Sequence, residues 1–501
     1  MDAPVLGTYG KVSGAEDAKE VDIDTAFMLA SVAKTYTGAT VAVLIDQNII
    51  DLDDDICDVI GEVNTACRNP AYMDVPVTWR MLMTHRSSLN RDPPFLPDGT
   101  DATYGPTGVN YPGEIKGNPS CPIDDVEQFY EDLLVDKETE TTVGQADGLS
   151  VNWYDVAQAD MGGQWNETLS PGEKAVYSNV GVSYVAALLP KATQNTAMGR
   201  TSFPDFFQKY VADKVGMAHT AWFRRDLSNG TMTAMPVYPL DNQTGTWEDI
   251  GHYCWANYAD GQLYSSIRDV AAFANVMTSY GIGTLWSNET AEENYIGCQE
   301  RDGTNEPIET DCDFSLAWEY LGGKNKAFYG GNGTWATLDW TNSIGHQGSE
   351  AGVASSVVIL PEEDSYVIVI FNTEGADIEY FTDQIIETGM SVLLGVDTEE
   401  SAEEDDDGDT DAPTMEESLT DVPTATDDAV LDDDLLDNGE NATRGGEIQI
   451  DGGGSESSRE GAIDERSDSN SVTSSAIVSI SGIEALLVLG VGVQALAAFG
   501  C

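Results

Sequence analysis

Apolar residues along this chain recur in short periodic runs set apart by polar and glycine-rich stretches. Across residues 31–45, Ala33, Tyr36, Ala39 and Val43 return at steps of three and four, which predicts a buried amphipathic helix. A shorter helix running into a tight turn is expected across residues 75–89, and an apolar helix across 183–189. Residues 203–217 read as an amphipathic helix stopped by Gly216, and residues 260–277 as a turn followed by another helix. Two β-rich runs, 353–360 and 366–371, flank Pro361-Glu362-Glu363-Asp364 and predict an antiparallel hairpin. A last helix with Ile378, Phe381, Ile385 and Val392 on one face is expected to cover that sheet. Between Asn90 and Pro171 periodicity is weak and Gly, Pro, Asp and aromatics abound, as in a loop-rich insertion that builds substrate walls.

Beyond residue 395 the pattern changes. Residues 397–470 hold 27 acidic and three basic residues, −24 of the −64 net charge of the 501-residue chain. Self-repulsion and scarce apolar surface predict a disordered, extended linker there. So acidic a chain repels phosphate backbones, which argues against nucleic acid as a partner and leaves cations as a class the tail could bind. Residues 485–500 are apolar again except for Gln494.

None of the seven cysteines forms a Cys-x-x-Cys pair. With Cys501 set aside, six remain in the body, compatible with three disulfides; Cys57 with Cys67 and Cys298 with Cys312 would close short loops. Asn-x-Ser/Thr sequons start at Asn166, Asn229, Asn242, Asn288, Asn332 and Asn441, and together these features favour a secretory route. Residues 1–4 open no signal peptide. The expectation is therefore an incomplete N-terminus, with the partners of a strand near Tyr9 lying upstream.

The candidate chemistry begins at Ser31 and Lys34, one helical turn apart. A serine in a helix's first turn lies beside unpaired N–H groups that can hold an oxyanion, and a lysine on the same face can take or relay its proton. A second candidate is the turn holding Tyr177 and Asn179, a phenolic acid/base and an amide able to bond a substrate carbonyl or the lysine; alone, the pair reads rather as a turn closing a helix. His85, beside hydroxyls in a turn, reads as a structural histidine that satisfies local backbone groups. No Gly-x-Ser-x-Gly elbow occurs, which argues against an α/β-hydrolase.

Taken together, Ser31-Val-Ala-Lys34, Tyr177-Ser-Asn179 and His346-Gln-Gly348, in this order, resemble the three motifs of the β-lactamase-related, penicillin-recognising serine hydrolase family, closest to its class C and esterase-like branch. The similarity covers roughly residues 21–394, with Ser88 standing where the family usually has glycine and Asp260-Gly261-Gln262 replacing a commoner glycine pair. The resemblance implies an α+β fold: a central antiparallel sheet flanked by helices, with a mainly helical subdomain carrying the Ser-x-x-Lys helix. It implies Ser31 as nucleophile, Lys34 and Tyr177 sharing proton transfer, and Asn179, His346, Gly348 and Ser349 binding substrate, with the N–H groups of Ser31 and Ser349 as oxyanion donors. No metal or other cofactor is required. The substrate would be a small molecule or peptide bearing an ester, amide or β-lactam-like carbonyl. A silent binding module on the same fold, or an acidic cation-binding surface protein, are the alternatives.

The expected organisation is a catalytic domain over residues 1–395, with residues 90–170 as its insertion, an acidic linker over 396–475, and a hydrophobic anchor segment over 476–501. Small residues at Ser474-Ser475-Ala476 before a terminal apolar run resemble a glycolipid-anchor signal, with a single membrane span as the runner-up. Glu484 and the lack of a basic flank weaken the span. The expected location is the cell surface or a membrane.

Overall fold

The predicted hairpin forms. In a computed structural model, Val353–Leu360 and Ser365–Phe371 pair antiparallel from Ala354↔Phe371 to Leu360↔Ser365, joined by a 3₁₀ turn at Pro361–Glu363 and by Asp364 at a φ of 47°. Both strands are buried throughout, which explains their largely apolar character, broken by Ser355, Ser356 and Ser365. They form the centre of a seven-stranded sheet ordered Val5–Tyr9, Ala495–Gly500, Ser365–Phe371, Val353–Leu360, Ile344–Glu350, Trp318–Tyr320 and Phe314–Ser315, every pairing antiparallel.

The structure describes residues 5–15, 17–90, 92, 126–135, 143–146, 149–151, 163–241, 246–249, 251–253, 257–296, 314–321, 340, 342–373, 476–480, 483–487 and 495–500. The chain divides into two units, Met1–Asp397 with Thr473–Cys501, and Thr398–Val472; all described residues belong to the first. The expected helix through Ile378 and Val392, most of the 90–170 insertion, the acidic linker and the Cys298–Cys312 pair lie outside the described residues.

Val5–Tyr9 pairs antiparallel with Ala495–Gly500, from the apolar C-terminal run. That run also supplies a hairpin of Ala476–Ile480 with Ile483–Leu487. Among the described residues no helix is long and apolar enough to cross a membrane.

The helix predicted from Ser31 starts as a 3₁₀ turn, Ala30–Val32, and continues as the α-helix Ala33–Asp46. It is not amphipathic, because Lys34, Thr35, Thr37, Gly38 and Thr40 are as buried as its apolar residues. A helix enclosed on all sides must satisfy its own polar groups. Thr35 donates to Val32 O and Thr40 to Tyr36 O, each at 2.8 Å, while Thr37 reaches out to Ala259 O at 2.6 Å. Gly38 has a different reason to be present: a Cβ there would lie 1.7 Å from Leu316 O, so the loop before Trp318 can approach only because the side chain is missing.

Other helices fall near their expected places. Trp79–Met83 is capped by the Thr78 hydroxyl, Ile267–Met277 by that of Ser266, and the segment Phe203–Val215 ends at Gly216 with a φ of 86°. The first of the expected loops closes as a disulfide between Cys57 and Cys67, with Cα atoms 5.2 Å apart. Arg68 forks onto Asp55 beside it, and Asp55 also caps the helix Ile56–Ile60 by accepting from Cys57 N.

Candidate active site

A strained residue launches the nucleophile. Ala30 takes a φ of 46°, in the left-handed region that costs a residue with a Cβ roughly 1–2 kcal/mol. Leu29 beside it is held at both ends: its N–H donates to Leu263 O at 2.9 Å and its carbonyl accepts the Ser355 hydroxyl at 2.6 Å. Two such hydrogen bonds at about 1 kcal/mol each are enough to offset that cost. Ala30 and Val32 stay buried while Ser31 between them is half-buried.

Lys34, only 1% exposed, donates from Nζ to Ser31 Oγ at 2.9 Å and to the Asp260 carbonyl at 2.8 Å. The Asp260 turn is fixed in turn by Asn257 Nδ2 on its carboxylate at 2.6 Å and by Thr37 on Ala259. The Tyr177 hydroxyl bonds both Ser31 and Lys34, and Lys34 Nζ lies 5.1 Å from the centre of the Tyr177 ring. Burial pushes the Tyr177 phenol above the usual tyrosine range, and the charge of Lys34 with the two hydrogen bonds counters this only in part. At neutral pH Tyr177 is therefore a phenol able to hand on a proton.

His85 braces this tyrosine. Its Nδ1 accepts the Ser178 N–H at 3.0 Å, its carbonyl accepts the Val176 N–H at 2.7 Å, and its ring stacks on Tyr177 with centroids 4.4 Å apart. The histidine does satisfy local backbone groups, as its sequence context implied, but the groups are those on either side of Tyr177. His85 and Ser88 both adopt left-handed backbone, φ of 58° and 62°. Ser88 thus takes the conformation that glycine would hold most cheaply.

The third motif lies on Ile344–Glu350, where Gly348 presses against the nucleophile turn. A Cβ at Gly348 would stand 2.9 Å from Ser31 N and 2.6 Å from Leu29 O, so only glycine leaves room beside that amide. Ser349, the next residue, is exposed. His346 is buried, with its ring 6.3 Å from that of Tyr177 and Nδ1 on the Gln347 carbonyl at 2.5 Å. Burial first, and the charge of Lys34 second, lower its pKa to about 3.

Asn179 opens the helix Asn179–Ser183, which is capped by the Ser178 hydroxyl on Gly181 N and packs against both the nucleophile helix and the Tyr258–Asp260 turn. Its Nδ2 donates to the Asp92 carboxylate at 2.5 Å. Ser31, Lys34 and Tyr177 therefore meet directly, Gly348 touches the nucleophile turn, and His346 and Asn179 flank Tyr177. Sequence reasoning missed the Asp260 carbonyl, which is a backbone group without a side-chain signature, and Asp92, which lies in an aperiodic stretch.

A cleft of about 640 Å³ between Pro204 and Ser228 contains none of the matched residues, and the hydrogen-bonded chemistry rather than its size locates the site. Among the described residues no group of three or more His, Cys, Asp or Glu could hold a metal ion.

Comparison with known proteins gives a family model, Beta-lactamase, that matches residues 2–387. Beta-lactamase-like protein 2 of Dictyostelium discoideum is 22% identical over 300 residues, which is 57% of this chain but only 40% of that protein's length. Among solved structures, an octameric penicillin-binding protein homologue from Pyrococcus abyssi aligns over 78% of this chain and 73% of its own, at 17% identity and a TM-score of 0.47. A class C beta-lactamase aligns over 79% and 90%, at 14% identity and 0.48.

Proposed function

Because the chain belongs to the beta-lactamase family, we propose that it is a serine hydrolase working through a covalent acyl-enzyme on Ser31. One observation carries this reading: Lys34 Nζ lies on Ser31 Oγ at 2.9 Å while the Tyr177 hydroxyl bonds both. In the proposed cycle Ser31 Oγ attacks a carbonyl and its proton passes through Lys34 and Tyr177 to the leaving group. The amides of Ser31 and Ser349 receive the oxyanion, and water then cleaves the ester by the reverse proton path.

The substrate reading follows from charge. His346 stands where many relatives of the family pattern place a lysine, and with a pKa near 3 it is uncharged at neutral pH. A carboxylate on the substrate thus meets no permanent cation from this strand position, and a chain of net charge −64 repels anions at long range. Neutral esters or amides are the favoured substrates over carboxylate-bearing β-lactams. The test is turnover of a neutral ester, a D-Ala-D-Ala peptide and a cephalosporin side by side at low and high salt. The ester should be fastest and its advantage should shrink as salt screens repulsion. A cephalosporin turned over faster than the matched ester at both salt concentrations would overturn the substrate reading.

We propose further that the protein enters the secretory pathway and is held at a membrane by its C-terminal run. The Cys57–Cys67 disulfide supports an oxidising compartment.

A further inference from the structure

The strand Val353–Leu360 is buried along its whole length, yet it carries two successive serines, each 1% exposed. Neighbouring side chains on a strand face opposite ways, so the two hydroxyls enter different surroundings. Ser356 Oγ has no hydrogen-bond partner among the described residues. Ser355 Oγ donates to the Leu29 carbonyl at 2.6 Å. A buried hydroxyl in an apolar strand is costly unless it is used, and the use of Ser355 is this one carbonyl.

The bond lies beside the nucleophile. Ser355 stands opposite Gly348 in the strand pairing, and a Cβ built on Gly348 would lie 2.5 Å from Ser355 Oγ, 2.6 Å from Leu29 O and 2.9 Å from Ser31 N. The hydroxyl, the carbonyl it holds and the amide of the nucleophile thus crowd around one point. The Leu29 carbonyl shares a rigid plane with the Ala30 N–H. Ala30, at a φ of 46°, is the residue between that plane and the Ser31 amide. Strained backbone persists only while its surroundings hold it. Released from Ser355, the Leu29–Ala30 plane can turn and carry the Ser31 N–H with it. The same strand pairs Ala354 with Ser349. Val353–Leu360 therefore supports one proposed oxyanion amide through its ladder and the other through a side chain.

We propose that Ser355 is a positioning residue: its hydroxyl aims the Ser31 N–H at the oxyanion and does not itself touch substrate. The inference rests on the acyl-transfer reading above and deepens it. An oxyanion donor works only where the oxygen of the tetrahedral species will stand, so a small rotation of that amide costs rate in the transition state and little substrate binding.

The test compares an ester with its thionoester on the full chain, because the thionoester puts sulfur, a weak hydrogen-bond acceptor, where the oxyanion would form. Ser355→Ala should lower kcat for the ester roughly 10- to 100-fold with KM little changed, and the ester-to-thionoester ratio of kcat/KM should fall by about tenfold, since the sulfur substrate gains less from the amide. Ser355→Thr, which keeps the hydroxyl, should retain most of the ratio. Ser355→Cys, a weaker donor in nearly the same space, should fall between, and it carries the test if the alanine variant fails to fold. Ser356→Ala should change neither kcat nor the ratio. Wild-type kcat and ratio in Ser355→Ala or Ser355→Cys, a slower Ser355 variant with an unchanged ratio, or an equal fall in Ser356→Ala would overturn the proposal, while fluorophosphonate labelling of wild-type Ser31 would still uphold the hydrolase. Absence of that labelling would overturn both.

Discussion

The imidazole of His85 lies against the ring of Tyr177, 4.4 Å between centroids, and accepts the N–H of the residue that follows it. Tyr177 is therefore held by a side chain more than ninety positions away in the chain rather than by its own turn alone. His85→Ala should lower kcat roughly 10- to 100-fold with little change in KM, because a tyrosine moved by even a fraction of an ångström transfers protons poorly. His85→Asn, which can still accept from Ser178, should recover part of the loss. In a Tyr177→Phe background the His85→Ala effect should largely vanish. Independent, additive losses would show that His85 acts elsewhere.

Stability should fall as the solution is acidified below pH 6.5, and two histidines give a reason. His346 and His252 are buried, and desolvation lowers each to about 3 from the 6.5 of an exposed imidazole. Between those values the unfolded chain binds protons that the folded chain refuses. Each histidine then withdraws about 1.4 kcal/mol of stability per pH unit as pH falls from 6.5 toward 3, and nothing above 6.5. Urea melts from pH 7 to 5 should show this slope, and His252→Asn should reduce it. An unchanged slope in that variant would exclude the contribution of His252.

Much of this was readable along the chain. The hairpin, the capped helices and the short disulfide loop followed from local patterns, and Ser31, Lys34 and Tyr177, which the fold brings together, were singled out by their motifs. The helix of Lys34 misled because a fully enclosed helix carries threonines that bond back to its own carbonyls, which imitates a polar face. For the run that holds the strand Ala495–Gly500, apolar composition alone does not separate a sheet strand from a lipid-facing segment, since the two share it. Asp92 and the Asp260 carbonyl gave no signal, since their roles depend on contacts with Asn179 and Lys34 far along the chain.

The C-terminal run leads to a decision between two uses of the same residues. A cleaved anchor signal cannot remain as the strand that pairs with Val5–Tyr9. The anchor proposal predicts that phospholipase releases the protein from membranes and that its mature mass lacks the residues after the Ser474–Ala476 region. A mature mass that still includes Cys501 would exclude it.

Acyl-enzyme formation on Ser31 is the central claim, and intact-mass spectrometry of the protein after exposure to a fluorophosphonate tests it most directly. The account predicts a single covalent adduct on the wild type, mapped to Ser31, and none on a Ser31→Ala variant of unchanged circular dichroism. An adduct that persists in Ser31→Ala, or a wild type that takes up no probe, would contradict it.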